Sequence, residues 1–134
     1  MIKEFEDEKH LLKNKLMDTL HQEFLDIFNS VDLDSSEDIK AKLTLLYHHT
    51  EKHFKLEEEL MDSIAYPTKK EHKDEHNKVL SEMHYFMNMK PTLFGHNMMK
   101  AYYIEKLPYW FDFHLLSMDS DLASYAKNSL KEIG

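Results

Sequence analysis

The chain has 134 residues, enough for one hydrophobic core and too few to divide into two, so a single domain over residues 1–134 is expected. Two glycines and three prolines beside abundant Leu, Met, Lys and Glu exclude a strand-rich fold, and the absence of cysteine excludes disulfides, thiolate metal sites and iron–sulfur clusters. A net charge of −8 without a basic stripe argues against nucleic-acid partners, and no apolar run reaches the roughly 18 residues that a membrane span needs. The acidic start, Met1 to Glu8, lacks the features of a secretory signal, so a cytoplasmic protein is expected.

Core positions that recur at alternating spacings of four and three mark the inner seam of a helix bundle. A first helix is expected from about Phe5 to Ser30, with the seam Met17, His21, Phe24 and Phe28, widened by Leu20 and Ile27. Asp32 to Ser36 breaks the period, and Ser35 followed by Asp38 resembles a capping box that opens a second helix. Its seam is Ile39, Leu43, Leu46, Thr50, His53, Glu57, Leu60 and Ile64. This helix runs much further before its polar seam residues than the first runs after His21, a mismatch that an extended Asp32 to Ser35 link would absorb.

Tyr66-Pro67 stops the second helix, because the residue before a proline is pushed out of the helical region, and Thr68 with Glu71 reads as another capping box. The third seam is His72, His76, Val79, Met83 and Phe86; after Lys90-Pro91-Thr92 comes a fourth, Tyr103, Leu107, Trp110 and His114. Pro108 predicts a kink or break between Glu105 and Pro108, and Ser120 to Lys131 predicts a short terminal helix capped by Ser120. Short connections make neighbours antiparallel, so the expected fold is all-α, an antiparallel up-down four-helix bundle with a short C-terminal helix.

Metal-capable side chains occupy inner positions on all four helices: His21, His53 and Glu57, His72 and His76, and His114. Burying an unpaired imidazole costs about 1–3 kcal/mol and a free carboxylate more, and coordination to cations removes that cost. In the pairs His53/Glu57 and His72/His76 the residues differ by about 40° around the helix and about 6 Å along it, so both can converge on one site. His10, His48, His49, His84 and His96 are not read as ligands, with His49, one turn from His53, a possible partner of a ligating ring. Glu58 and Glu59 are read as pointing away from the axis or lying at its edge.

These residues resemble the bacterial hemerythrins from about Met17 to Tyr125. The matching stretches are Met17-Asp18-Thr19-Leu20-His21, His53-Phe54-Lys55-Leu56-Glu57-Glu58, Tyr66-Pro67 leading to His72-Lys73-Asp74-Glu75-His76, and Trp110 followed by His114-Leu115-Leu116-Ser117-Met118-Asp119. The resemblance implies a hemerythrin-like bundle holding two iron ions (Fe2+/Fe3+) with a bridging oxo or hydroxo group. It adds Asp119 to the ligands: Glu57 and Asp119 would bridge the irons, His72, His76 and His114 would complete one, and His21 and His53 would hold the other, which keeps an open position. The implied function is reversible dioxygen binding as carrier, store or sensor, with no protein partner required; a di-iron redox enzyme or scavenger acting on peroxide, nitric oxide or dioxygen is the alternative.

Phe24, Leu25, Phe54, Leu56, Trp110 and Leu115 would either wall a dry pocket around dioxygen or simply fill the core. Five residues from His114 to Asp119 make about 140° on an ideal helix, so the helix has to loosen into a π-type turn or end for Asp119 to face inward. The chain departs from the pattern of the bacterial hemerythrins that it resembles in lacking a tryptophan before His21 and a glycine before Tyr66. His72 to His76 also spells H-x-x-E-H, the inverted zinc-protease pattern with Glu75 as base, which leaves His21, His53, Glu57 and His114 without a role.

Overall fold

Helices begin where a side chain can accept the free amide hydrogens of a first turn. Asn14 accepts from the Met17 amide at 3.1 Å and opens α1 (Lys15–Asn29), and Ser35 accepts from the Asp38 amide at 3.1 Å and opens α2 (Ser36–Ser63). The Asp38 carboxylate reaches past Ser35 to accept from the Asp32 amide at 2.6 Å, and Ser35 bonds back to the Asp32 carbonyl. The link between α1 and α2 is therefore a turn and not the extended segment that the mismatch in helix lengths suggested.

The box expected at Thr68 does not form. Its backbone, at φ −103° and ψ 29°, is not in the extended conformation that aims a capping hydroxyl at the first turn, and α3 (Lys69–Met87) starts without a side-chain cap. Thr92 does cap, accepting from the Gly95 amide at 3.0 Å, and opens α4 (Leu93–Ala101).

From α4 the chain continues as one rod through a π turn (Tyr102–Lys106), α5 (Leu107–His114), a second π turn (Leu115–Asp119) and α6 (Ser120–Ile133). The distortion expected near Pro108 is the first of these turns. Proline has no amide and its ring collides with the carbonyl four residues back in a regular helix; the wide turn, with Leu107 bonded to the Tyr102 carbonyl five residues back, relieves that contact just before it. Because hydrogen bonding carries on through the second wide turn, Ser120 continues the rod and does not cap a separate helix.

The computed structural model describes residues 14–133, excepting the side chains of Leu115, Leu116 and residues 129–133. The part of the first helix expected before Asn14, with His10, lies outside the described residues. Among those described there is no strand, and no helix is long and apolar enough to cross a membrane. The fold is an all-helical bundle of four rods.

Two apolar clusters form its core. The larger gathers Phe24, Leu25 and Phe28 from α1, Ile39, Leu43, Leu46 and Phe54 from α2, Val79 and Met83 from α3, and Met99, Tyr102, Tyr103, Leu107 and Phe111 from the fourth rod; the smaller gathers Met17, Met61, Leu122 and Ala123. The long first half of α2 is thus covered by α4 and the first π turn as well as by α1, and Ser36 Oγ meets His96 Nδ1 at 2.5 Å at its start. Tyr103 stacks on Phe28 at 4.6 Å between ring centres and donates its hydroxyl to the Phe28 carbonyl at 2.6 Å, which ties the fourth rod to the last turn of α1.

Most of the expected seam positions are buried, but Phe86 is half-buried, Trp110 is half-buried beside a fully buried Phe111, and the seam of α2 drifts. Ile39 to Glu57 face inward as read, but further along α2 the fully buried residue is Met61, with Leu60 and Ile64 half-buried. A straight α-helix drifts about 20° per heptad against a strict seven-residue repeat, and four heptads are enough to carry the seam over by one residue.

Two backbone positions invite opposite substitutions. At the end of α2, Tyr66 bonds to the Met61 carbonyl at 2.9 Å and Ala65 to the Asp62 carbonyl at 3.3 Å, a Schellman ending that puts Ala65 at φ 50°, where glycine is the residue without strain. A Cβ on Gly95 would sit 2.1 Å from the Lys90 carbonyl oxygen, so only glycine fits. Chemical denaturation should show Ala65→Gly stabilising the chain by about 0.5–1 kcal/mol and Gly95→Ala destabilising it by about 1–3 kcal/mol.

Candidate metal centre

Between the two apolar clusters lies a polar layer. Residue order places it there: Met17, then His21, then Phe24 on α1; Phe54, His53, Glu57, then Met61 on α2; His72 and His76, then Val79 on α3; Phe111, His114, Asp119, then Leu122 on the fourth rod. All seven expected ligand residues are brought together, with His21, His53, Glu57, His72, His76, His114 and Asp119 each no more than 5% exposed. His114 ends α5 and Asp119 ends the second π turn. In a π turn hydrogen bonds join residues five apart, so these two stack one above the other where an ideal α-helix would separate them.

The imidazole Nε2 atoms all face the two carboxylates. His72 Nε2 stands 3.2 Å from Glu57 Oε1 and 3.2 Å from Asp119 Oδ1, His76 Nε2 3.2 Å from Glu57 Oε1, and His114 Nε2 2.8 Å from Asp119 Oδ1 and 3.9 Å from Glu57 Oε1. The other carboxylate oxygens face different rings: His53 Nε2 is 2.5 Å from Glu57 Oε2, and His21 Nε2 is 2.8 Å from Asp119 Oδ2. Two groups result, Glu57, His72, His76, His114 and Asp119 in one and His21, His53, Glu57 and Asp119 in the other, each with ligand atoms within 4.8 Å of one another.

These separations have the scale of a coordination shell. Atoms bound at right angles to one ion at about 2.1 Å lie about 3.0 Å apart, and atoms opposite each other about 4.2 Å apart. The contacts at 2.8–3.2 Å and the one at 3.9 Å in the three-histidine group match that pattern. Several atoms in hydrogen-bond range make no hydrogen bond among the described residues: His53 Nε2, Glu57 Oε2, His76 Nε2, His114 Nε2 and Asp119 Oδ1. Buried polar atoms this close together and without a hydrogen bond are compatible with a site that holds a cation. With five imidazole nitrogens and two carboxylates, the group could hold a metal ion of the class that includes iron, zinc and copper.

Electrostatics point the same way. Burial pushes Glu57 up, but the imidazoles of His53, His114 and His72 outweigh it and hold the carboxyl well below its usual range. Burial and the Glu57 charge push Asp119 up, and His114 and His21 pull it below. In return, burial disfavours a proton on His114 while Asp119 and Glu57 favour it, raising this imidazole to about 10; His72 is raised by the same neighbours against the same burial. Two buried negative charges thus demand compensation, by protons when no metal is bound and by metal when it is.

Outside these two groups, His76 Nδ1 meets Glu58 Oε2 at 3.2 Å, and Lys73 lies 3.8 Å from the same carboxylate. Glu58, read as an outward or edge residue, is partly buried and fixes the tautomer and orientation of His76; its place directly after Glu57 was the signal for that role. His49 is not such a partner. Burial lowers its affinity for protons, and its Nε2 donates to the Leu20 carbonyl at 3.1 Å. Phe54 stacks on His76 at 3.6 Å and Trp110 on His114 at 5.1 Å, each packing against a ring of the polar layer.

A cavity adjoins the two-histidine side. His21, Phe24, Thr50, His53, Trp110, Phe111, His114 and Asp119 line it, and about 10 Å3 is open to the centre of a water molecule, room for one small molecule. Of the expected wall residues, Phe24 and Trp110 line it; Leu25 is buried in the larger cluster, Phe54 packs on His76, and Leu56 is half-buried elsewhere. The Leu115 side chain lies outside the described residues. Thr50 and Phe111 were not singled out as wall residues, although Thr50 stood on the seam one turn before His53. No family model, curated protein or solved structure matches the chain.

The raised His114 means that its stabilising charge is fully present below its unfolded value near 6.5 and is lost as pH climbs toward about 10. Thermal melts of the metal-free chain should therefore show falling stability across that window, while metal-loaded protein, whose ligand nitrogens carry no proton, should be flatter there and release protons on loading. Glu58→Gln should weaken metal binding by about tenfold in a chelator competition, through His76.

Proposed function

We propose that the chain binds dioxygen reversibly at two iron ions held inside an antiparallel, up-and-down four-helix bundle, in the manner of the hemerythrins its sequence resembles. One observation carries this reading: Glu57 and Asp119 each turn one oxygen to the three-histidine group and the other to the two-histidine group. A single ion would use one group and leave the remaining buried imidazoles without a purpose. Two carboxylates, each spanning both nitrogen sets, suit a pair of ions. The antiparallel arrangement is supported by the order of the two apolar clusters, which reverses between α1 and α2 and again between α3 and the last segments of the fourth rod.

The five imidazoles with Glu57 and Asp119 would hold the ions, and ferrous iron, when bound, would supply the electrons for reversible capture of dioxygen. The chain's own residues do the rest. Three imidazoles occupy one side and two the other, so the two-histidine side has fewer donors, and the cavity opens on that side. Phe24, Phe111 and Trp110 wall the cavity with aromatic rings, Phe24 stacked on Phe111 at 5.1 Å, and keep bulk water from the site. Room for one small molecule suits a gas and does not suit a peptide. Glu75 belongs to neither ligand group, so the inverted zinc-protease pattern finds no base in place.

Anaerobic titration with ferrous iron followed by air should give two irons per chain and a visible band that disappears on deoxygenation and returns. One metal per chain, or steady consumption of peroxide or nitric oxide with a reductant in place of repeated oxygenation, would overturn the reading. Glu57→Leu, which removes one oxygen from each group, should reduce the stoichiometry below two.

A further inference from the structure

Apart from ring nitrogens of the histidines that line it, the cavity beside the two-histidine group carries two hydrogen-bond donors that nothing among the described residues uses. Thr50 Oγ1 and Trp110 Nε1 are both buried without a partner, and both residues line this cavity. A buried helical hydroxyl ordinarily satisfies itself by bonding back to the carbonyl one turn earlier. Thr44 does so to Lys40 at 2.8 Å and Ser117 to Phe113 at 2.7 Å, even though both are solvent-accessible. Thr50, 1% exposed, makes no such bond. An orphaned buried hydroxyl is destabilising, and a valine of the same shape would fill the space without that penalty.

We infer that Thr50 is a positioning residue for the small molecule that enters this cavity, donating its hydroxyl to an acceptor atom of that ligand, with the Trp110 indole N–H, from α5, as a second donor. The ligand class this selects is a diatomic or small anion bearing a lone pair at its free end, held by hydrogen bonding and not by apolar packing alone. Thr50 stands one turn before His53 on the same face of α2, so a ligand seated beside His53 and His21 lies within the space the hydroxyl shares. Beyond the Asp119 carboxylate and the imidazoles of His21, His53 and His114, the wall consists of the aromatic rings of Phe24, Trp110 and Phe111, and a donor in such buried surroundings is strengthened by the lack of competing water. This inference rests on the dioxygen-binding reading above and assigns the selectivity of that same site.

The test compares wild type with Thr50→Val and Thr50→Ser. In metal-free protein, Thr50→Val should melt at or above the wild-type temperature, because it removes an unpaired hydroxyl; a clear fall would mean that the hydroxyl has a structural bond, and would overturn the inference. In iron-loaded protein, dioxygen release and azide dissociation should be about tenfold faster in Thr50→Val, with Thr50→Ser close to wild type. The vibrational frequency of bound azide should shift in deuterium oxide for wild type and Thr50→Ser but not for Thr50→Val. Release rates and isotope shifts unchanged in Thr50→Val would sink the role of Thr50 while leaving wild-type oxygenation intact. Failure of the wild type to take up two irons or dioxygen would instead strike the underlying reading.

Discussion

Two carboxylates, Glu57 and Asp119, sit at the centre of this bundle with essentially no access to water. Isolated charges in that position would cost several kcal/mol each even after the surroundings relax. The remainder of the polar layer answers that constraint: five imidazoles from four rods point their Nε2 atoms at four carboxylate oxygens. Protons can neutralise the acids, and the same arrangement could hold a metal ion in their place. A site of this kind is held together by charge balance more than by any single bond.

The scaffold is apolar on both sides of that layer. Aromatic stacking runs from Tyr103 through Phe28 and Phe24 to Phe111, and Phe111 meets His21 edge-on at 6.0 Å, so packing in the larger cluster is transmitted directly to a ligand ring. Met17, Met61 and Leu122 close the other side. Among the described residues the centre is closely packed, and the cavity beside it has room for a small guest.

Much of this was legible in the sequence because helices of this length print their inner face as a repeat. The cap at Ser35 follows from its box with Asp38, and the seam of α2 as far as Glu57 and the six inner imidazole and carboxylate positions follow from periodicity, whereas Thr92 was legible only as part of a break and not as a cap. Asp119 did not follow from it; resemblance supplied that residue, and the wide turn that periodicity demanded of it is present. The failures have local causes. Thr68 carries the letters of a cap but not the backbone angles. Glu58 was set aside because its position on the helix lies off the inner line, yet a long side chain at the edge reaches a ring nitrogen that a seam count does not consider. Thr50 was read as ordinary core, since a sequence cannot reveal which hydroxyl declines the carbonyl behind it.

The wide turn from Leu115 to Asp119 inserts one residue's worth of backbone relative to a regular helix, which offsets everything after it by about 100° about the axis. The inward face of α5 and that of α6 are accordingly different registers of one continuous rod. Presence of an acid in the middle of the molecule is thereby encoded in chain length as well as in residue type: an aspartate at the same point of an undistorted rod would look outward. A gapless comparison that treats the rod as uniform will place its two halves out of phase, and a one-residue difference in this stretch between similar chains separates those that can present two acids to the centre from those that can present only one.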